Sequence, residues 1–94
     1  MKSVVILSKK AKKHLTIVPL HILNKFEEWI YSVELKGITE MRKIPGFHDE
    51  PLKGQRKGQR SIRLSKSYRA IYTMYEKNEN SIHIIIEEVT KHEY

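Results

Sequence analysis

The sequence contains no cysteine, which excludes a disulfide framework, a thiolate zinc site and a cysteine nucleophile, and fits a reducing compartment. No apolar run approaches the roughly 18 residues of a membrane-spanning helix. The stretch Val4–Leu7 that comes after Met1-Lys2-Ser3 is too short for the core of a secretion signal. A soluble, cytoplasmic chain with no membrane partner is expected. Glycine and proline are sparse, at four and three residues, and all four glycines fall between Gly37 and Gly58. Outside that stretch there is little to interrupt regular structure. Internal repeats and low-complexity tracts are absent as well. What remains is 94 residues with 39% hydrophobic content, enough for one core and too apolar for a disordered tail. A single domain spanning 1–94 is expected.

Acidic residues are missing from one long segment. Between Pro51 and Tyr75 stand Lys53, Arg56, Lys57, Arg60, Arg63, Lys66 and Arg69 with no Asp or Glu, and these seven equal the whole net charge of +7. Basic residues on alternate strand positions also serve to solvate a sheet edge. Clustering them nevertheless costs a small domain stability through repulsion, so an anionic ligand explains the segment better, and a phosphate backbone is the leading candidate. Residues 27–50 and 76–94 are by contrast acid-rich, which suggests a basic face and an acidic face.

The apolar pattern sets the order of elements. Val4–Leu7 is a β-branched run that reads as a buried strand, and Ser8 can cap a helix beginning at Lys9. Lys9–Leu15 reads as a short helix ending before Pro19. Ile22, Phe26, Trp29, Ile30 and Val33 repeat at helical spacing until Gly37 offers a left-handed stop. The two helices are expected to form an antiparallel hairpin with the Trp29 stripe against a sheet. Residues 37–59 read as the main loop region, with a helical turn around Thr39–Lys43. After Gly58 the period becomes two, which predicts a strand through Ile62 and Leu64, a turn at Lys66-Ser67 and a second strand over Tyr68–Glu76. In that second strand Arg69, Ile71 and Thr73 share one face and Tyr68, Ala70, Tyr72 and Met74 the other. Ile82–Val89 reads as an interior strand. The expected fold is therefore α+β, β-α-α-β-β-β, with a two-helix hairpin on one face of a mainly antiparallel sheet and the other face free for function.

Several chemistries lack their residues. His14, His21, His48, His83 and His92 show no ligand spacing, so no metal site is expected. A serine elbow and a phosphate-binding glycine loop are both absent. The pairs Glu27-Glu28 and Glu87-Glu88 do not converge, because the first lies on a helix and the second points to opposite faces of a strand. The basic segment and the terminal Lys91-His92-Glu93-Tyr94 remain. Metal-free RNA cleavage needs a group to take the 2′-OH proton, cations for the phosphorane and an acid for the leaving oxygen, and His, Lys, Arg and Tyr can fill those roles. If the last strand runs beside the Tyr68 strand, His92 and Tyr94 emerge near Arg69 or Arg63.

Pro51-Leu52-Lys53-Gly54-Gln55-Arg56-Lys57-Gly58, Arg60-Ser61-Ile62-Arg63-Leu64, Tyr68-Arg69-Ala70-Ile71-Tyr72 and Glu88-Val89-Thr90-Lys91-His92-Glu93-Tyr94 together resemble the RelE/HigB-like toxins of bacterial type II toxin–antitoxin systems. The Pro-Leu-Lys-Gly block with its basic loop is most similar to the HigB branch. The resemblance implies a ribosome-dependent, metal-independent mRNA endoribonuclease that needs no cofactor and is neutralised by a cognate antitoxin protein. Its partners would then be that antitoxin, the ribosome and mRNA. The resemblance makes Lys53 the catalytic lysine, Arg69 the arginine of the aromatic-Arg pair, and Tyr94 or His92 the terminal catalytic group, while Arg56, Lys57 and Arg60 would grip RNA phosphates. Some HigB-like members carry a second arginine where Ser65 stands here, so Arg63 or Lys66 must supply that charge. The resulting expectation is that Lys53 or His92 assists deprotonation of the 2′-OH, Arg69 and Arg63 stabilise the phosphorane, and Tyr94 or His92 protonates the leaving oxygen. The same superfamily includes gyrase-poisoning relatives of the ParE kind, the alternative reading, and a non-catalytic RNA-binding module is a third.

Overall fold

The computed structural model describes residues 1–91. Strand β1 (Lys2–Leu7) ends at Ser8, whose Oγ accepts the Ala11 N–H at 2.9 Å and so caps helix α1 (Lys9–Leu15). Helix α2 (Leu20–Lys36) begins after Pro19 and buries Ile22, Phe26, Trp29 and Val33, the helical stripe expected from sequence. Gly37 ends it at φ +91, a conformation strained for any residue with a Cβ, and donates its N–H to the Val33 carbonyl at 2.8 Å. The φ is on the positive side expected of a glycine stop, but its ψ of 151 lies outside the αL well. The chain then forms α3 (Ile38–Met41), a 3-10 turn (Pro45–Phe47), β2 (Glu50–Pro51), a second 3-10 turn (Gly54–Arg56), β3 (Arg60–Arg63), β4 (Tyr68–Asn78) and β5 (Ser81–Lys91).

The strands make one sheet in the order β1-β5-β4-β3-β2. Pairing of β1 with β5 is parallel and the other three pairings are antiparallel, so the sheet is mixed. The two-residue β2 carries no periodicity of its own and exists because β3 lends it partners, Glu50 opposite Ser61 and Pro51 opposite Arg60. The core lies between the helices and one sheet face, where the Trp29 ring meets Tyr72 at 5.5 Å between centroids and Phe26 at 6.3 Å. Each main helix is held chiefly by the sheet, α1 along β5 and α2 along β1. Where β1 stops short, α1 takes over the edge of β5: the Ser8 N–H reaches the Ile86 carbonyl, and the Val89 N–H donates to His14 Nδ1 at 3.1 Å. The edge therefore keeps its hydrogen bonds past the last β1 pair, Leu7 with Ile86.

A bulge at Glu87 lets Ile84, Ile86 and Val89 all face the core although the strand has changed phase. The second sheet face is not wholly free, contrary to expectation. Ile71 and Ser61 are buried there, and Arg56 from the loop between β2 and β3 reaches across to Glu88 of β5 at 2.8 Å. The open part of that face lies toward the β3–β4 turn. Among the described residues no helix is long and apolar enough to cross a membrane.

Candidate functional site

Residues opposite one another in an antiparallel ladder share a face. Arg63 of β3 stands opposite Arg69 of β4, and Arg69 in turn stands opposite Thr90 of β5, so the two guanidinium side chains leave the sheet side by side. Ser65 makes that juxtaposition possible. Its Oγ accepts the N–H groups of Ser67 and Tyr68, both at 3.1 Å, and closes the tight turn that returns the chain. A depression runs along this end of the face, lined by Arg63, Arg69, Lys66, Ser61, Tyr68, His48 and Glu50 among others. Neither arginine has an acidic partner among the described residues, and Arg69 Nε is buried without a hydrogen-bond acceptor there. Two like charges on neighbouring strands, neither in an ion pair among the described residues, give this end of the face a positive character.

The remaining basic residues divide by their partners. Arg60 faces the helix side, where its Nε donates to Asp49 Oδ1 at 2.7 Å and the Tyr72 hydroxyl donates to the other carboxylate oxygen. Burial acts against the charged Arg60, but the hydrogen bond and charge of Asp49 outweigh it and hold its pKa above the ordinary value. Arg56 is bound by Gln59 and Glu88. Arg56 and Arg60 are thus each joined to an acidic side chain, Arg56 while still partly exposed and Arg60 more deeply set. Lys53 and Lys57 flank the second 3-10 turn and are exposed, and Lys53 is not among the residues that line the depression. His92 and Tyr94 lie outside the described residues.

Two residues enter the site that the sequence pattern did not single out, His48 and Glu50. The signal was present in the acidic pair Asp49-Glu50, directly ahead of the basic segment. Its neighbouring positions point to opposite sides, so Asp49 enters the protein while Glu50 joins the depression. The depression is therefore lined by Glu50 and His48 beside the two arginines. Among the described residues no group of three His, Asp or Glu could hold a metal ion.

Solved structures with this arrangement of elements cover the whole chain. A YoeB/ParE toxin from Agrobacterium tumefaciens superposes with a TM-score of 0.69 over 99% of this chain and 100% of that one, at 17% identity. The toxin–antitoxin complex RelBE2 of Mycobacterium tuberculosis gives 0.68 over 98% and 100%, at 18% identity. The chain has the RelE/ParE toxin fold. A YoeB dimer from Staphylococcus aureus matches over 100% of both chains, with a TM-score of 0.66 and 21% identity. No family model and no curated protein matches the sequence. The RelE/ParE fold thus persists here at identities near one residue in five, the backbone arrangement being kept while most side chains differ.

Proposed function

We propose that this chain is the toxin of a toxin–antitoxin pair and cleaves mRNA in the decoding site of the ribosome, using neither metal ion nor cofactor. The observation that carries this reading is the unneutralised Arg63–Arg69 pair in one depression with Glu50 and His48. Glu50 takes the proton from a ribose 2′-OH, and the resulting oxygen attacks the adjacent phosphorus. Arg63 and Arg69 stabilise the charge that builds on the phosphorane oxygens. The 5′ oxygen leaves with a proton from His48 or from the terminal His92 or Tyr94, giving a 2′,3′-cyclic phosphate and a 5′-hydroxyl. Lys53 and Lys57, exposed on the basic loop, hold flanking phosphates, with Lys66 at the rim of the depression. Lys53 takes that role in place of the catalytic one, because it lies outside the lining of the depression.

An antitoxin partner is supported by solved neighbours captured as toxin–antitoxin complexes, RelBE2 among them and DinJ–YafQ of Escherichia coli another. A basic open face suits an acidic segment laid across it. Expression in a bacterial host tests the whole reading, with growth followed while the 5′ ends of cellular mRNA are mapped. Growth arrest with new in-frame 5′ ends is expected, and Arg69→Ala should lower cleavage at least about 100-fold. That variant should melt no earlier than its parent, because it relieves a like-charge pair. Arrest with intact messages and a DNA-damage response would move the target to gyrase.

A further inference from the structure

Asp49 is a buried carboxylate that the cleavage scheme does not use. Its side chain is 1% exposed, one oxygen takes the Arg60 Nε–H and the other the Tyr72 hydroxyl, so both ends are engaged by strands β3 and β4. Burial first, and then the adjoining carboxylate, hold the Tyr72 hydroxyl well above the ordinary phenol range, which keeps it a donor throughout the physiological span. The Tyr72 ring is itself anchored against Trp29. Asp49 is therefore bolted to the rigid core through both of its oxygens, yet it belongs to an irregular segment between a 3-10 turn and a two-residue strand.

The two residues that flank Asp49 are the ones in the depression. Consecutive extended residues point to opposite sides, so drawing Asp49 inward turns Glu50 outward onto the sheet face opposite Ser61. On the other side His48 sits at φ 45 and ψ 49, a left-handed conformation that a residue with a side chain holds only when its surroundings impose it. His48 is the C-cap of the 3-10 turn, its N–H donated to the Pro45 carbonyl at 3.1 Å with Phe47 buried just before it, so it is held between that turn on one side and the Asp49 anchor on the other. We infer that Asp49, with Tyr72 and Arg60, is a positioning device that fixes His48 and Glu50 over the Arg63–Arg69 pair. The inference rests on the nuclease reading for its kinetic consequence, but its structural content stands without it.

Tyr72→Phe is the test, since it removes one hydrogen bond and keeps the ring against Trp29; Asp49→Asn serves as the second variant. Amide hydrogen exchange on the purified chain reads the device directly. Protection of Glu50 and Ser61 should fall at least tenfold in both variants, with the β4–β5 ladder unchanged. Unchanged protection at Glu50 and Ser61 would overturn the inference, as would a loss spread evenly over the sheet, which would mean a merely structural pair. In ribosome-bound mRNA cleavage, Tyr72→Phe should lower kcat about tenfold with KM for the ribosome unchanged. Added to Glu50→Gln it should cost less than the tenfold it costs alone, because the share that acts through Glu50 is already lost and only the share through His48 remains. A fully multiplicative loss in the double variant would also overturn the inference. If the unaltered chain cuts no message at all, the nuclease reading falls and the exchange data alone decide the positioning role.

Discussion

Glu88 sits between two cations, Arg56 at 2.8 Å and Lys10 at 3.6 Å. Burial alone would raise its pKa, but the hydrogen bond and charge of Arg56, helped by Lys10, outweigh it and hold the carboxyl below the usual glutamate range. A carboxyl with a depressed folded pKa contributes stability that is complete above its unfolded value and is lost as pH falls through the folded one. The melting temperature of the parent should therefore drop more steeply than that of Glu88→Gln between about pH 5 and pH 3. Parallel melting curves would expose an ion pair with no energetic weight. At this scale the sequence was only half legible. Period two and the hairpin turn placed Arg63 and Arg69 on adjoining strands, as the β3–β4 pairing has them, while their proposed role came from the family resemblance. The sequence could not tell that Arg56 and Arg60 have acidic partners, since Glu88 and Asp49 lie 32 and 11 positions away along the chain.

Among the elements, the junction of α2 and α3 depends on one residue. Gly37 has φ +91, and the N–H of the next residue, Ile38, is accepted by the buried Ser3 Oγ of β1 at 3.1 Å, so the sharp change of direction is tied to the sheet. Gly37→Ala should cost about 1–3 kcal/mol, measured by urea unfolding, through backbone strain at this conformation. There is room for the added methyl, the nearest side-chain atom being Ser3 Oγ at 4.0 Å, so a neutral result would show that the backbone rotates away from its positive φ. Elements with strong periodicity were readable: the Trp29 helix, the Ile82–Val89 strand and the hairpin around Lys66-Ser67 all form. Strand β2 was not, because Glu50 and Pro51 acquire strand geometry only from pairing with β3.

For the molecule as a whole, the net charge of +7 and the concentration of its excess in one segment bear on association. Under the proposed function, binding to the ribosome should weaken as salt rises, and replacing both Lys53 and Lys57 with Ala should lower the slope of log K against log salt by about 1.4–1.8, some 0.7–0.9 for each phosphate that is no longer neutralised. An unchanged slope would place the contacting cations elsewhere. Fold class, the order of the main helices and strands and the basic segment are properties of the chain alone, because hydrophobic period and turn chemistry are local and each window carries its own signal. Which cations remain open, and that Glu50 and His48 join them, was decided by tertiary structure. Those facts depend on which distant carboxylate closes on which guanidinium, and on a buried Asp49 that turns its two neighbours to the opposite side. Such pairings are set by the packing of strands far apart in sequence, and no local pattern encodes them.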